Sequence, residues 1–296
     1  MSFTTATTID EALAALAAGA RPVAGGSDLV VGARHGKAPL PESIVAVDRL
    51  TELNGVVEVD GAVRIGALTP HRDIERHPLL GATFSALCDG SALVGSPATR
   101  HVGTLGGNVM NASPAMDTGA PLVVLGAAVE LRSIRGVRLV DIGALWTGPG
   151  RTSADADELC TAIVLPSPGD GHGSAYLRLE YRRAMEIAIV GAAAAVRLAA
   201  DGTVASVRVA LTAVAPTIIA VHDLPVGLTV DDTSAAVRRA AADQATPISD
   251  LRASDRYRRH TVGVMAGRAV EAAARRAAGE VIAVPVNRSL GIGAAS

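Results

Sequence analysis

Two Gly-Gly pairs constrain this chain more than any other feature. Gly25-Gly26 lies in RPVAGGSDLVVG, starting at Arg21, and Gly106-Gly107 lies in TRHVGTLGGNVMNASPAMD, starting at Thr99. Glycine permits positive φ and close backbone approach, so consecutive N–H groups at such turns can converge on an anion. The first pair follows a short extended segment, Arg21–Ala24, and precedes a helix or turn at Asp28–Val31. Ser27 and Thr104 add hydroxyl donors beside the glycines, and Asn108 adds an amide donor. Either pair alone is as well explained by a surface turn. Two in matched settings suit a diphosphate.

Other nucleotide-binding patterns are absent. A Rossmann G-x-G-x-x-G must sit between a strand and a helix, whereas Gly291-Ile292-Gly293 is followed only by the C-terminus. The segment Gly32–Ala38 falls one spacer short of a P-loop and has Ala where the hydroxyl belongs. Aromatic residues make up only 2% of the chain, which argues against base stacking and leaves a pocket to be built from backbone and aliphatic groups. A formal net charge of −2 removes the usual basis for nucleic-acid binding. Partners are therefore expected among small molecules and other proteins.

Cys88 and Cys160 are far apart and form no C-x-x-C, so they read as buried core thiols rather than ligands of zinc or iron–sulfur clusters. His71, His77 and His101 lack metal-ligand spacing and are expected at the surface or in local hydrogen bonds. Arg252, Arg256, Arg258, Arg259, Arg268, Arg275 and Arg276 read as a solvated helix face, with a docking surface as the alternative. The uncharged apolar stretches around Ala120–Val129 and Ile187–Val196 are too short for a bilayer, which takes ~18 or more residues. No signal-like basic n-region opens the chain, so no membrane span and a cytoplasmic location are expected. Asn111-Ala112-Ser113 is a formal glycosylation sequon, but Pro follows it and that location gives it no use.

At 296 residues the chain has room for two or three units. Thr8–Glu11 forms a capping box before a helix that Gly19 ends. Ser43–Val47 reads as a strand, and Val56–Val59 with Val63–Ile65 as a hairpin turning at Asp60-Gly61. Helical spacing follows at Pro70–Glu75 and Leu79–Leu87, and Pro121–Leu131 changes from helix to strand. Thr161–Leu165 is a strand closed by the Pro/Gly cluster of residues 166–171, the clearest boundary. Beyond it, Ala188–Leu198 and Val204–Thr212 read as antiparallel strands, although the Ala-rich first segment scores equally as helix. Helices are expected at Thr233–Ala242 and Asp255–Ala278.

Four segments carry a resemblance to a known family: VAGGSDLV at 23–30, GTLGGNVMNASPAMD at 103–117, YRRAMEIAIVGAAAAV at 181–196 and RASDRYRRHTVGVMAGRAV at 252–270. Together they resemble the FAD-binding medium subunit of the molybdenum hydroxylases, the xanthine dehydrogenase and carbon monoxide dehydrogenase family. The resemblance implies an α+β fold of the p-cresol methylhydroxylase type. Residues 1–55 and 56–170 would be its two FAD-binding α+β subdomains, 171–285 a C-terminal α+β domain with a small antiparallel sheet, and 286–296 a tail.

By the same resemblance, one diphosphate loop is Pro22, Val23, Ala24, Gly25, Gly26, Ser27, Asp28 and Leu29, and the other is Thr104, Leu105, Gly106, Gly107 and Asn108. Asp117 is a further FAD contact, and Val94, Cys160 and Arg178 align with others. Many relatives have Lys where this chain has Arg178, a change that keeps charge but alters donor geometry. No His stands in the first loop, so non-covalent FAD is expected. Two isolated cysteines cannot supply the inserted cluster of the benzoyl-CoA-type reductase branch.

The implied activity is that of an oxidoreductase subunit. Substrate would be hydroxylated at molybdenum on a large molybdopterin subunit, and electrons would pass through the [2Fe–2S] clusters of a small subunit to FAD. The outlet would be NAD, a quinone, oxygen or another acceptor, and the assembly a dimer of heterotrimers. No residue of this chain needs to act as a general acid or base. The alternatives are a self-sufficient flavin oxidoreductase of the same fold and a nucleotide-binding scaffold without redox activity.

Overall fold

Helix α1 (Ile9–Ala17), which follows strand β1 (Ser2–Thr5), begins where the capping signal predicts. Thr8 Oγ1 accepts the Glu11 N–H at 3.2 Å, while Glu11 Oε2 accepts from the backbone N–H and hydroxyl of Thr7, one residue earlier than in the usual box. The chain then forms β2 (Arg21–Val23), α2 (Ser27–Arg34) and β3 (Ser43–Ala46). β3 lies between β1 and β2 and is parallel to both. Parallel pairing requires crossovers, which α1 and α2 supply. α1 buries Ala12, Leu13 and Leu16, and these join Val45, Val47, Leu50 and Leu53 in one core; α2 buries none of its residues. The Gly25-Gly26 turn and the helix after it are thus left open to solvent.

This computed structural model describes residues 2–34, 36 and 39–291. His35, Lys37 and Ala38 of the near-miss P-loop lie outside the described residues, as do Ile292, Gly293 and the rest of the tail.

The second sheet begins as the predicted hairpin, β4 (Val56–Val59) and β5 (Ala62–Gly66), with Asp60 at φ 51° and Gly61 at φ 75°. Helices α3 (His71–Arg76), α4 (Pro78–Thr83), α5 (Ser85–Leu93), α6 (Pro97–Val102), α7 (Leu105–Asn111) and α8 (Gly119–Val124) follow. Next come β6 (Ala128–Ser133), β7 (Gly136–Asp141), α9 (Ile142–Leu145), the ribbon β8 (Trp146–Gly148) and β9 (Arg151–Thr152), and finally β10 (Leu159–Pro166). The antiparallel order is β4-β5-β10-β6-β7. β10 therefore closes the centre of a sheet whose other strands it follows in sequence. Every residue of α5 is buried, which small residues in SALCDGSAL allow.

The second Gly-Gly segment is built across the exit of β5. His71 N–H donates to Gly103 O, Leu105 N–H to Thr69 O and Gly106 N–H to Ala67 O, at 3.0, 3.0 and 2.8 Å. Ala67 N–H in turn donates to Thr161 O on β10 at 3.0 Å. A Cβ on Gly106 would stand 2.6 Å from that of Ala67. His71, expected at the surface or locally bonded, is instead buried beneath this segment at 1% exposure, and its Nδ1 has no hydrogen-bond partner among the described residues. Burial first, and then the charge of Arg100, push its pKa down to about 4.

The chain leaves the second sheet at Pro166 and starts a third with β11 (His172–Leu179), β12 (Val190–Leu198), β13 (Val204–Thr212) and β14 (Ile219–Val221), all antiparallel in that order. Helices α10 (Val230–Gln244), α11 (Asp255–Ala277) and α12 (Val286–Ser289) complete the fold. One face, with Tyr176, Ala193, Ala195 and Ala210, joins the core of the second sheet. The opposite face, with Leu177, Ala192, Ala194, Val209 and Leu211, packs with Val237, Val262, Ala266, Ala269 and Ala273 of α10 and α11. That double burial makes the Ala-rich segment a strand. Its poor β propensity matters less than its small size, which lets helices approach closely. Gly173 takes this furthest: a Cβ there would overlap the carbonyl of Ala273.

The expected solvated arginine face needs correction at two positions. Arg258 is buried and donates to Ile189 O at 2.6 Å and to Asp250 at 2.7 Å. Arg276 donates through Nη1 and Nη2 to Asp89, which is fully buried, at 2.6 and 3.1 Å. Asp89 also accepts from Tyr176 N–H and Val286 N–H, at 3.2 and 2.9 Å. One carboxylate thus joins α5, β11, α11 and the segment entering α12. No helix among the described residues is long and apolar enough to cross a membrane.

Asp89→Ala strands the Arg276 guanidinium, and urea denaturation should show a loss of about 3–5 kcal/mol. A second expectation concerns pH. Between about pH 4 and 6.5 the unfolded chain holds more protons at position 71 than the folded one, so stability rises with pH through that window and acidification removes it. From pH 7 to pH 5 the wild type should lose about 2 kcal/mol more than His71→Gln, measured by the same titration.

Candidate functional site

The two glycine loops meet directly. A Cβ on Gly25 would overlap the carbonyl oxygen of Val102, and one on Gly103 would stand 3.7 Å from Ser27 Oγ. Glycine at position 25 is therefore required by contact between backbones. The structure sets Gly25 and Ser27, which follow β2 of the first sheet, against Val102 and Gly103, which lead directly into Thr104–Asn108.

Their hydrogen-bond states differ. Among the described residues, none of the backbone N–H groups from Ala24 to Leu29 donates a hydrogen bond within the chain. The groups at Ser27–Leu29 open helix α2, whose first turn has no internal acceptors. In the second loop, Leu105 and Gly106 N–H are consumed by Thr69 and Ala67, and Gly107 N–H donates to Thr104 Oγ1 at 3.1 Å. What the second loop retains is side-chain capacity. The Thr104 hydroxyl, having accepted from Gly107, keeps its own proton to donate, and Asn108 accepts from Thr118 through Oδ1 at 2.6 Å, leaving its NH₂. Backbone donors on one side and side-chain donors on the other suit a diphosphate lying between the loops. A cradle that a Cβ would fill and a row of unused N–H groups fit FAD at this place.

The other expected residues occupy the end of α5, β10, the turn before α8, and β11. Val94 ends α5, half-buried, and its carbonyl accepts from Arg100 Nη1 at 3.2 Å. Cys160 sits on β10 beside Thr161, with its thiol buried and pushed up to about 12 by that burial. Cys88 is likewise buried, at about 12 for the same leading reason.

Asp117 and Arg178 form a separate buried cluster. Asp117 accepts from Arg178 Nη1 at 2.6 Å and from Tyr176 Oη at 2.9 Å, and Arg178 also pairs with Glu180 and reaches Glu186 O. Arg178 has no solvent exposure. Burial is the largest single influence and lowers its pKa, but Asp117, Glu180 and Tyr176 together hold it above the ordinary guanidinium value. The cluster adjoins the second loop through Thr118, the neighbour of Asp117 that bonds Asn108. Tyr176 and Glu180 are supporting residues of this cluster that the sequence did not single out. Only the i, i+2 alternation of Tyr176, Arg178 and Glu180 on one strand face could have pointed to them.

Comparison with known proteins agrees with this architecture. Residues 1–168 match the family model described as the FAD binding domain in molybdopterin dehydrogenase, and residues 174–273 match the CO dehydrogenase flavoprotein C-terminal domain. The carbon monoxide dehydrogenase medium chain of Afipia carboxidovorans is 35% identical, over 87% of this chain and 90% of that one. The xanthine dehydrogenase FAD-binding subunit of Escherichia coli is 31% identical, over 88% and 91%. Among solved structures, reconstituted CO dehydrogenase from Oligotropha carboxidovorans superposes with a TM-score of 0.88 at 32% identity, covering 93% of this chain and 98% of that one. This chain belongs to the FAD-binding medium subunits of the molybdopterin-dependent hydroxylase family and is an oxidoreductase subunit.

Proposed function

We propose that the chain holds FAD non-covalently between its 1–55 and 56–170 subdomains, within a complex that also contains a small [2Fe–2S] subunit and a large molybdopterin subunit. The observation that carries this reading is the contact of the two glycine loops, with unused N–H groups on one face of it. FAD, when bound, would supply exchange between the one-electron clusters and a two-electron external acceptor.

The chain's own residues bind and orient. Ala24–Leu29 would offer backbone N–H groups to the diphosphate, Ser27 and Thr104 hydroxyl protons, and Asn108 an amide. Gly25 and Gly106 fix the spacing of the loops, and Gly107, exposed, leaves room at their rim. Asp117, held by Tyr176 and Arg178, couples the 171–285 domain to the second loop. None of these groups has to move a proton.

Gly25→Val should lower FAD affinity about tenfold or more, because the added side chain forces apart two backbones. Gly107→Val meets only Thr104 Oγ1 on the protein side, so it should keep the fold by circular dichroism while losing flavin. Both are checked by flavin stoichiometry and fluorescence titration after reconstitution. Full flavin content in both variants would overturn the clamp, and substrate turnover by the isolated chain would favour the self-sufficient reading.

A further inference from the structure

Away from the glycine loops, α3, α6 and α12 enclose a cavity of about 220 Å³ into which four arginines converge: Arg72, Arg76, Arg100 and Arg288. Glu75 is the one acid among its lining residues. No residue of Pro22–Leu29 or Thr104–Asn108 lines it, so it is not the diphosphate clamp.

The charges are unevenly compensated. Glu75 contacts both Arg72 and Arg100, and the Glu75 and Arg100 side chains are 7% and 8% exposed, forming a fixed floor. Arg100 Nε and Glu75 Oε2 lie 2.7 Å apart, yet neither atom makes an aligned hydrogen bond. The guanidiniums of Arg76 and Arg288, both residues exposed at the rim, have no ion-pair or hydrogen-bond partner among the described residues. Four guanidiniums around one carboxylate in a concave site concentrate positive potential, and guanidinium geometry favours oxyanions bound by paired N–H groups. The volume lies below the ~300–1,000 Å³ usual for drug-sized ligands, which points to a small ion.

We infer that this cavity is a binding site for a small free oxyanion of the phosphate class, held by Arg76 and Arg288 above the Arg72–Glu75–Arg100 floor. The site borders the second glycine loop through two elements. Arg100 belongs to α6, which runs directly into Gly103, and α3 begins at His71, whose N–H holds Gly103 O. Its occupancy therefore bears on the element that carries Thr104 and Asn108.

The test is calorimetric titration of the full-length chain with inorganic phosphate, in excess FAD and with chloride holding ionic strength constant. Saturable binding of one phosphate per chain is expected. It should weaken at least tenfold in Arg76→Ser/Arg288→Ser, whose two sites are exposed and carry no internal partner. Absence of saturable binding to the wild type, or undiminished binding to the double variant, would overturn the proposal. Flavin content of the double variant, read separately by absorbance, should match the wild type, because neither residue belongs to the glycine loops.

Discussion

The missing side chain at Gly25 is the constraint on which the site depends. Two backbones from different sheets approach there so closely that a methyl group would collide with the carbonyl of Val102. Everything near it is arranged to hold that approach. The second loop is laid on the β5 exit by three backbone hydrogen bonds, the exit is tied to β10, and β10 closes the sheet. The first loop is braced at one end only, by β2. Its open N–H row is the counterpart of that freedom, because donors spent on internal acceptors would not be left for a ligand.

The proposed clamp is therefore asymmetric. The sequence presents two similar Gly-Gly pairs, but folding gives them different tasks. One supplies unpaired backbone donors. The other spends its backbone on its own support and offers Thr104 and Asn108 instead. Buried His71 contributes to that support at a cost, since a neutral imidazole with an unpartnered nitrogen occupies the place of an apolar residue.

Much of this was legible in the residues. Local signals placed α1, the β4–β5 hairpin, the helix-to-strand change before β6, and α10 and α11, because caps, glycine turns and 3.6-residue spacing act within a few positions. The conjunction of both glycine pairs pointed to segments that the fold sets against each other. What was hidden depends on partners far away in sequence. β7 is exposed over most of its length, Val137 and Leu139 included, and forms through pairing with β6 rather than by burying a face of its own. Arg258 and Arg276 look like any surface arginine until Asp250 and Asp89 are placed beside them. Arg178, which the resemblance places among the cofactor contacts, has its guanidinium between Asp117 and Glu180, a pairing that no local pattern announces.

Asp89 has a bearing on how the molecule is made. Its carboxylate lies on a helix of the second unit, yet three of its four hydrogen bonds come from Arg276 and Val286, which follow it by 187 and 197 positions. A nascent polypeptide that has emerged only as far as the second sheet holds this acid without the cation that compensates its burial. Desolvating it at that stage is opposed by its own hydration. The helix that carries it settles fully into the interior only when α11 is there to supply Arg276, so the second sheet completes its packing with the third rather than before it.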